Sequence, residues 1–201
     1  MFLWMATLQR CRQHVRRRNQ HHLMRRIILA GPPGAGKTTL LVELGRSGFP
    51  TVSDSAREVI AERLALGTSP RPDPKTFALE LLSRDDAKYT EIKQTADLLF
   101  FDRSVLESLA MVQDVAPMPE AELRRRVSTY RFHNTVFILP PWEAIYRTDA
   151  ERDHSFAHAE RVYSRILQWY RWCGYAINEV PRIEVTQRAK HILHALAASD
   201  A

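Results

Sequence analysis

Gly31-Pro32-Pro33-Gly34-Ala35-Gly36-Lys37-Thr38 fits the pattern G-x-x-x-x-G-K-S/T, and its setting constrains the fold more than any other feature of the chain. Ahead of it lies Arg25–Ala30 (RRIILA), a short apolar run suited to a buried strand. Behind it, Lys37–Arg46 carries Leu40, Leu41 and Leu44 at helical spacing. A strand, a glycine-rich loop and a helix in that order form an anion cradle. The glycines let successive backbone N–H groups point inward, and the helix N-terminus adds its positive dipole end. The cradle is expected to run from Gly31 to Thr39 and to hold the phosphates of ATP or GTP. Lys37 is expected to reach the β- and γ-phosphates, and the Thr38 hydroxyl to ligate Mg²⁺.

The rest of the chain alternates in the same way. Extended runs are expected at Phe49–Ser53, Asp97–Phe101, Thr135–Leu139 and Tyr175–Asn178. Between them, helices are expected over Asp54–Leu66, Lys75–Gln94, Ser104–Gln113, Glu120–Phe132, Ser155–Trp172 and Glu184–Ala198. In the first of these, Ala56, Val59, Ile60 and Leu64 form the apolar face, while the prolines of Thr68–Pro74 mark a loop. Five strands separated by helices predict an α/β protein of three layers, a parallel sheet covered on both faces.

Three further elements carry chemistry. Leu98–Phe101 delivers Asp102 to the carboxyl edge of the sheet, where a carboxylate can hold Mg²⁺ together with Thr38; a turn residue is the plainer alternative. Arg103 and Ser104 follow at once, so a guanidinium able to grip a phosphate or hydroxyl stands beside the carboxylate. Asp54, at the end of the second strand, can orient an acceptor hydroxyl or take its proton. It is equally a good N-cap for the helix that bears Arg57 and Glu58. The polar segment Trp142–His154 carries Arg147 and Arg152 and reads as a cationic lid or as a solvated loop.

Length and charge place these elements in one domain. A chain of 201 residues has room for a single such unit, expected over residues 25–201. Its +6 net charge belongs to the start: residues 1–26 hold seven arginines and no acid, and the remainder has 22 basic against 23 acidic residues. Residues 1–24 therefore read as a basic arm, open to three interpretations: a targeting peptide, an arm for nucleic acid or anionic lipid, or a start upstream of the native one at Met24. Cys11 and Cys173 lie far apart without metal-ligand spacing, which fits a reduced, cytoplasmic protein. No apolar run reaches the roughly 18 to 20 residues of a membrane span.

Taken together, GPPGAGKTTL, FPTVSDSARE, DLLFFDRS, the lid arginines and YAINEVPRIEVTQRAKHIL resemble the small bacterial AAA-domain ATPases that group with nicotinamide riboside kinase. The resemblance runs from Arg25 to Leu196 and implies the strand order 2-3-1-4-5. It also implies roles for Asp54, for Arg57 with Glu58, for Asp102, and for Arg147 and Arg152. Asp102-Arg103-Ser104 is similar to the Asp/Glu-Arg-Ser of deoxynucleoside and thymidylate kinases. The aromatic and acidic residues that hold nicotinamide riboside have no recognisable counterpart. The fold leaves space for the base near Val180-Pro181, so Pro181 joins the candidate nucleotide contacts.

Two functions follow as expectations. One is an ATP-dependent kinase with a small, nucleoside-like hydroxyl acceptor. The other is a regulatory NTPase that switches on a protein or lipid partner, as relatives of the group in trafficking imply. The absence of N-K-x-D disfavours a translation-factor-type GTPase, and the absence of an L-S-G-G-Q-like signature disfavours a transporter ATPase.

Overall fold

Successive side chains of a strand point to opposite faces, so a strand that is apolar throughout must be covered twice. The first strand, β1 (Arg25–Ala30), obeys this. Ile27 and Leu29 enter one core with Leu40, Leu41 and Leu44, whereas Ile28 and Ala30 enter a second core with Val105, Leu106 and Leu109. The computed structural model describes residues 24–70, 72–92, 96–146 and 155–199.

After β1 come α1 (Lys37–Arg46), β2 (Thr51–Val52), α2 (Ser55–Ala65), α3 (Pro74–Glu91), β3 (Leu98–Asp102), α4 (Val105–Val115) and α5 (Glu120–Thr129). Then follow β4 (Thr135–Ile138), a 3₁₀ turn (Glu143–Ile145), α6 (Phe156–Trp172), β5 (Ala176–Glu179) and α7 (Val185–Ala198). The five strands are parallel in the order β2-β3-β1-β4-β5, the order the family resemblance implied. Helices α1 and α7 cover one face, and α4, α5 and α6 cover the other with Tyr89 of α3. Among the described residues, no helix is long and apolar enough to cross a membrane.

Local chemistry sets the ends of these elements. Asp54 caps α2 by accepting from the Ala56 N–H, and Asp73 caps α3 by accepting from Lys75 and Thr76. Pro74, expected in the loop, is instead the first residue of α3, where its missing N–H is harmless. The second strand is shorter than Phe49–Ser53: only Thr51 and Val52 pair with β3, and Phe49 turns its ring edge-on to Phe100 at 5.7 Å. Leu64 is 43% exposed and leaves the apolar face of α2 to Val59 and Ile60.

The register brings the functional loops together at the carboxyl edge. Leu29 lies opposite Asp102 on β3 and Phe137 on β4. The Arg103 N–H donates to Leu29 O and the Leu139 N–H to Ala30 O, so both neighbouring strands end beside the loop that leaves β1.

Candidate functional site

The loop between β1 and α1 is shaped by glycines that nothing larger can replace. Gly31 has φ 141°, and a Cβ on it would meet Leu139 O at 2.5 Å. Gly34 has φ 82° and lies under the Tyr146 ring, 2.5 Å from where its Cβ would be. Both positions demand a residue without a side chain. Lys37 opens α1 and folds back over the loop: its Nζ donates to Gly31 O at 2.9 Å and to Pro32 O at 3.0 Å. Burial pushes its ammonium down to about 8; Arg103 acts in the same sense, while Asp102, Asp54 and Glu107 oppose. Thr38 and Thr39 are exposed at the mouth.

Thr38 and Asp102, the two residues expected to hold Mg²⁺, meet here, with Thr38 Oγ1 donating to Asp102 Oδ2 at 3.3 Å. The other carboxylate oxygen, Oδ1, is buried with no partner. Burial raises the pKa of Asp102, against the pull of Lys37. A hydroxyl and an orphaned carboxylate oxygen at an anion cradle suit a hard, oxygen-seeking cation such as Mg²⁺.

Beside them lies an ion cluster. Arg103 Nε donates to Asp54 Oδ2 at 3.1 Å, and its Nη1 to Glu107 Oε2 at 2.6 Å. Asp54 uses its other oxygen for the α2 cap, so it serves as the N-cap and also binds Arg103. Glu107, on α4, also accepts from Tyr170 Oη at 3.0 Å, and that hydroxyl is 2.9 Å from Ser104 Oγ. Glu107 is buried, and burial raises its pKa while Arg103 holds it down.

Lys37, Thr38, Asp54, Asp102, Arg103 and Glu107 border one cavity of about 1610 Å³. It is continuous from Gly34, Lys37 and Thr38 through Asp102, Arg103 and Asp54 to a partly apolar lobe between α2, α3 and α4. Ile60, Phe77, Leu81 and Met111 line that lobe. It also holds Asp85, whose carboxylate accepts from the Ser55 and Ser108 hydroxyls and whose pKa burial raises. Arg57 lines the cavity as well. Pro181 is not among its lining residues; Arg188 of α7 is. Arg147 and Arg152 lie outside the described residues.

Glu107, Asp85, Ser108, Tyr170 and Arg188 escaped the sequence reading. A signal existed for two of them. Glu107 stands four residues after Arg103, the spacing of a helical ion pair. Asp85 falls on the Phe77–Leu81–Tyr89 row, where a carboxylate interrupts an apolar stripe.

The architecture is similar to that of several solved kinases. Deoxyadenosine kinase from M. mycoides with bound dATP has 15% identity and a TM-score of 0.58, covering 86% of this chain and 99% of that one. Shikimate kinase from Acinetobacter baumannii in complex with shikimate has 19% identity and a TM-score of 0.53, covering 89% of this chain and 96% of that one. NadR protein in complex with NR has 18% identity and a TM-score of 0.61; the match covers 88% of this chain and 52% of NadR. Such identities speak for the fold. No curated protein matches the sequence. The sequence does match the AAA domain family over residues 26–188, from β1 to the first turn of α7. With the P-loop, the parallel 2-3-1-4-5 sheet and this match in place, the chain belongs to the AAA domain family and carries the P-loop kinase-like NTPase fold.

Proposed function

We propose that the chain is a small-molecule kinase, transferring the γ-phosphoryl of ATP to a hydroxyl of a nucleoside-like acceptor. The observation that carries the reading is the continuity of the cavity: the phosphate cradle opens through an acid–arginine cluster into a partly apolar lobe. A nucleotide switch needs the cradle but not the lobe.

The backbone from Gly31 to Thr39 and the Lys37 ammonium would hold the triphosphate. Thr38 and Asp102 would hold Mg²⁺, which supplies charge neutralisation for the phosphates. The acceptor sits in the lobe, with its hydroxyl beside Asp54. The acceptor oxygen bonds to the γ-phosphorus as the bond to the β–γ bridging oxygen breaks and ADP leaves; the hydroxyl proton passes to the Asp54 carboxylate. Arg103, fixed by Asp54 and Glu107, and Arg57 would steady the acceptor and the moving charge. Arg147 and Arg152 are proposed for the lid. For Pro181 a contact with the base is kept as a proposal only, since it stands outside the cavity lining.

Incubation with labelled ATP or GTP and a panel of nucleosides and small alcohols tests this. A phosphorylated acceptor, absent with Lys37→Ala at unchanged melting temperature, is the expected result. Release of free phosphate without any phosphorylated acceptor would return the chain to the regulatory NTPase class.

A further inference from the structure

Arg188 is a buried cation that no ion pair neutralises among the described residues. It stands in the first turn of α7 and is 6% exposed. Its Nη1 makes one long hydrogen bond, 3.4 Å, to Ala35 O, and its Nε is buried without a partner. Among the described residues no carboxylate forms an ion pair with it. Glu184, one turn earlier, already accepts from the backbone of Thr186 and Gln187 and from the Thr186 hydroxyl.

Most of the electrostatics around it is adverse, and Glu184 opposes this only in part. A Cβ on Gly36, the N-cap of α1, would lie 2.9 Å from Arg188 Nη1, so the guanidinium rests against the start of α1. It also belongs to the start of α7. Both helix ends carry the positive pole of their dipoles, and a cation there is disfavoured. Burial itself lowers the pKa of Arg188. Glu184 opposes that shift, and the Trp142 ring, its centre 5.4 Å from the guanidinium carbon, offers weak compensation.

Lys37 provides the key to this arrangement. Both cations rest on carbonyl oxygens of the same loop, Lys37 on Gly31 and Pro32, Arg188 on Ala35. A carbonyl is a poor substitute for an anion, and a buried cation without a counter-charge is costly unless a ligand supplies one. We propose that Arg188 is a second phosphate-binding cation of the nucleotide site, reaching the polyphosphate chain from α7 while Lys37 reaches it from α1. The inference rests on the loop being a nucleotide site and does not depend on the acceptor.

Calorimetric titration of the full chain with inorganic tripolyphosphate, ADP and ATP tests it, beside thermal melts of the ligand-free protein. Arg188→Met is expected to weaken tripolyphosphate and ATP alike, by about tenfold to a hundredfold, the worth of a charge-assisted hydrogen bond. Arg188→Lys should recover part of that loss. The ligand-free Arg188→Met protein should melt no lower than wild type, because the substitution removes an unpartnered charge. If Arg188→Met does not fold, Arg188→Gln carries the same titrations. Loss of ATP affinity with tripolyphosphate affinity intact would make Arg188 a base contact and overturn the proposal. Unchanged affinity for both, or a lowered melting temperature as the only effect, would overturn it as well. A wild-type chain that binds neither ligand would instead overturn the nucleotide reading, and this inference with it.

Discussion

Arg103 adopts a left-handed backbone, φ 69°, a conformation that costs a side-chain-bearing residue about 1 to 3 kcal/mol. Two carboxylates hold it there, Asp54 on one side and Glu107 on the other. Asp54 and Asp102, both near Thr38 and Lys37, then differ in what they touch. Asp102 meets Thr38 and keeps a free buried oxygen, whereas Asp54 faces Arg103 and the α2 backbone. Asp54→Asn retains an oxygen for the cap yet loses the charge that draws a proton. It is expected to lower phosphoryl transfer by about 10²-fold or more with ATP–Mg²⁺ affinity near wild type. Asp102→Asn should impair both, as measured by transfer rates and nucleotide titration. A kinetically silent Asp54→Asn would leave Asp54 as a cap alone and favour the regulatory NTPase. At this scale the sequence exposed the residues that stand next to strand ends, Asp54, Asp102 and Arg103. It did not expose Tyr170, whose hydroxyl completes the Glu107 anchor of Arg103 from 63 residues away.

Helices α2, α3 and α4 meet through a polar contact inside an apolar seam. Asp85 of α3 receives Ser55 from the first turn of α2 and Ser108 from α4, with Ile60, Phe77 and Leu81 around them. Burial raises the Asp85 pKa above its ordinary 3.8. A folded state whose acid has a raised pKa binds more protons than the unfolded chain between the two values. Stability therefore falls as pH rises through that window and stays lowered above it. Asp85→Asn removes the ionisation and can still bond both hydroxyls, accepting from one and donating to the other. Thermal melts from acid to neutral pH should show the variant gaining on wild type as pH rises. Two curves that stay parallel would show that Asp85 does not ionise at a cost. The helices themselves were legible from their 3.6-residue period, and their interiors lie where the apolar rows put them. What the rows could not give was which end of a row reaches the core. Leu64 fits the α2 face by spacing yet is exposed, whereas Val59 and Ile60, with Ala56 beside them, pack against Phe77 and Leu81 of α3. The 3₁₀ turn Glu143–Ile145 has no such row, so only packing could disclose that Tyr146 roofs Gly34.

Across the whole molecule, both faces of the sheet converge on one edge: α1 and α7 bring Lys37 and Arg188, and α4 brings Glu107 and Ser108. All these parts lie between Arg25 and Ala198, and Met24 packs against the second core. We propose that residues 25–201 are the unit that binds and reacts, and that the basic arm before it acts separately, on anionic surfaces. Deleting residues 1–22 removes five arginines and leaves 24 basic against 23 acidic residues, so the truncated chain is almost neutral. Long-range attraction to polyanions scales with that net charge, whereas a buried phosphate cradle depends on groups within a few ångströms. The truncated chain is thus expected to keep the melting temperature and ATP affinity of the full chain while eluting from a heparin column at lower salt. Nucleotide titration, thermal melts and the elution salt measure the three quantities independently. If the truncation lowers the melting temperature or the ATP affinity, the arm packs on the body and belongs to the same unit. If only the elution salt falls, charge is the arm's sole contribution.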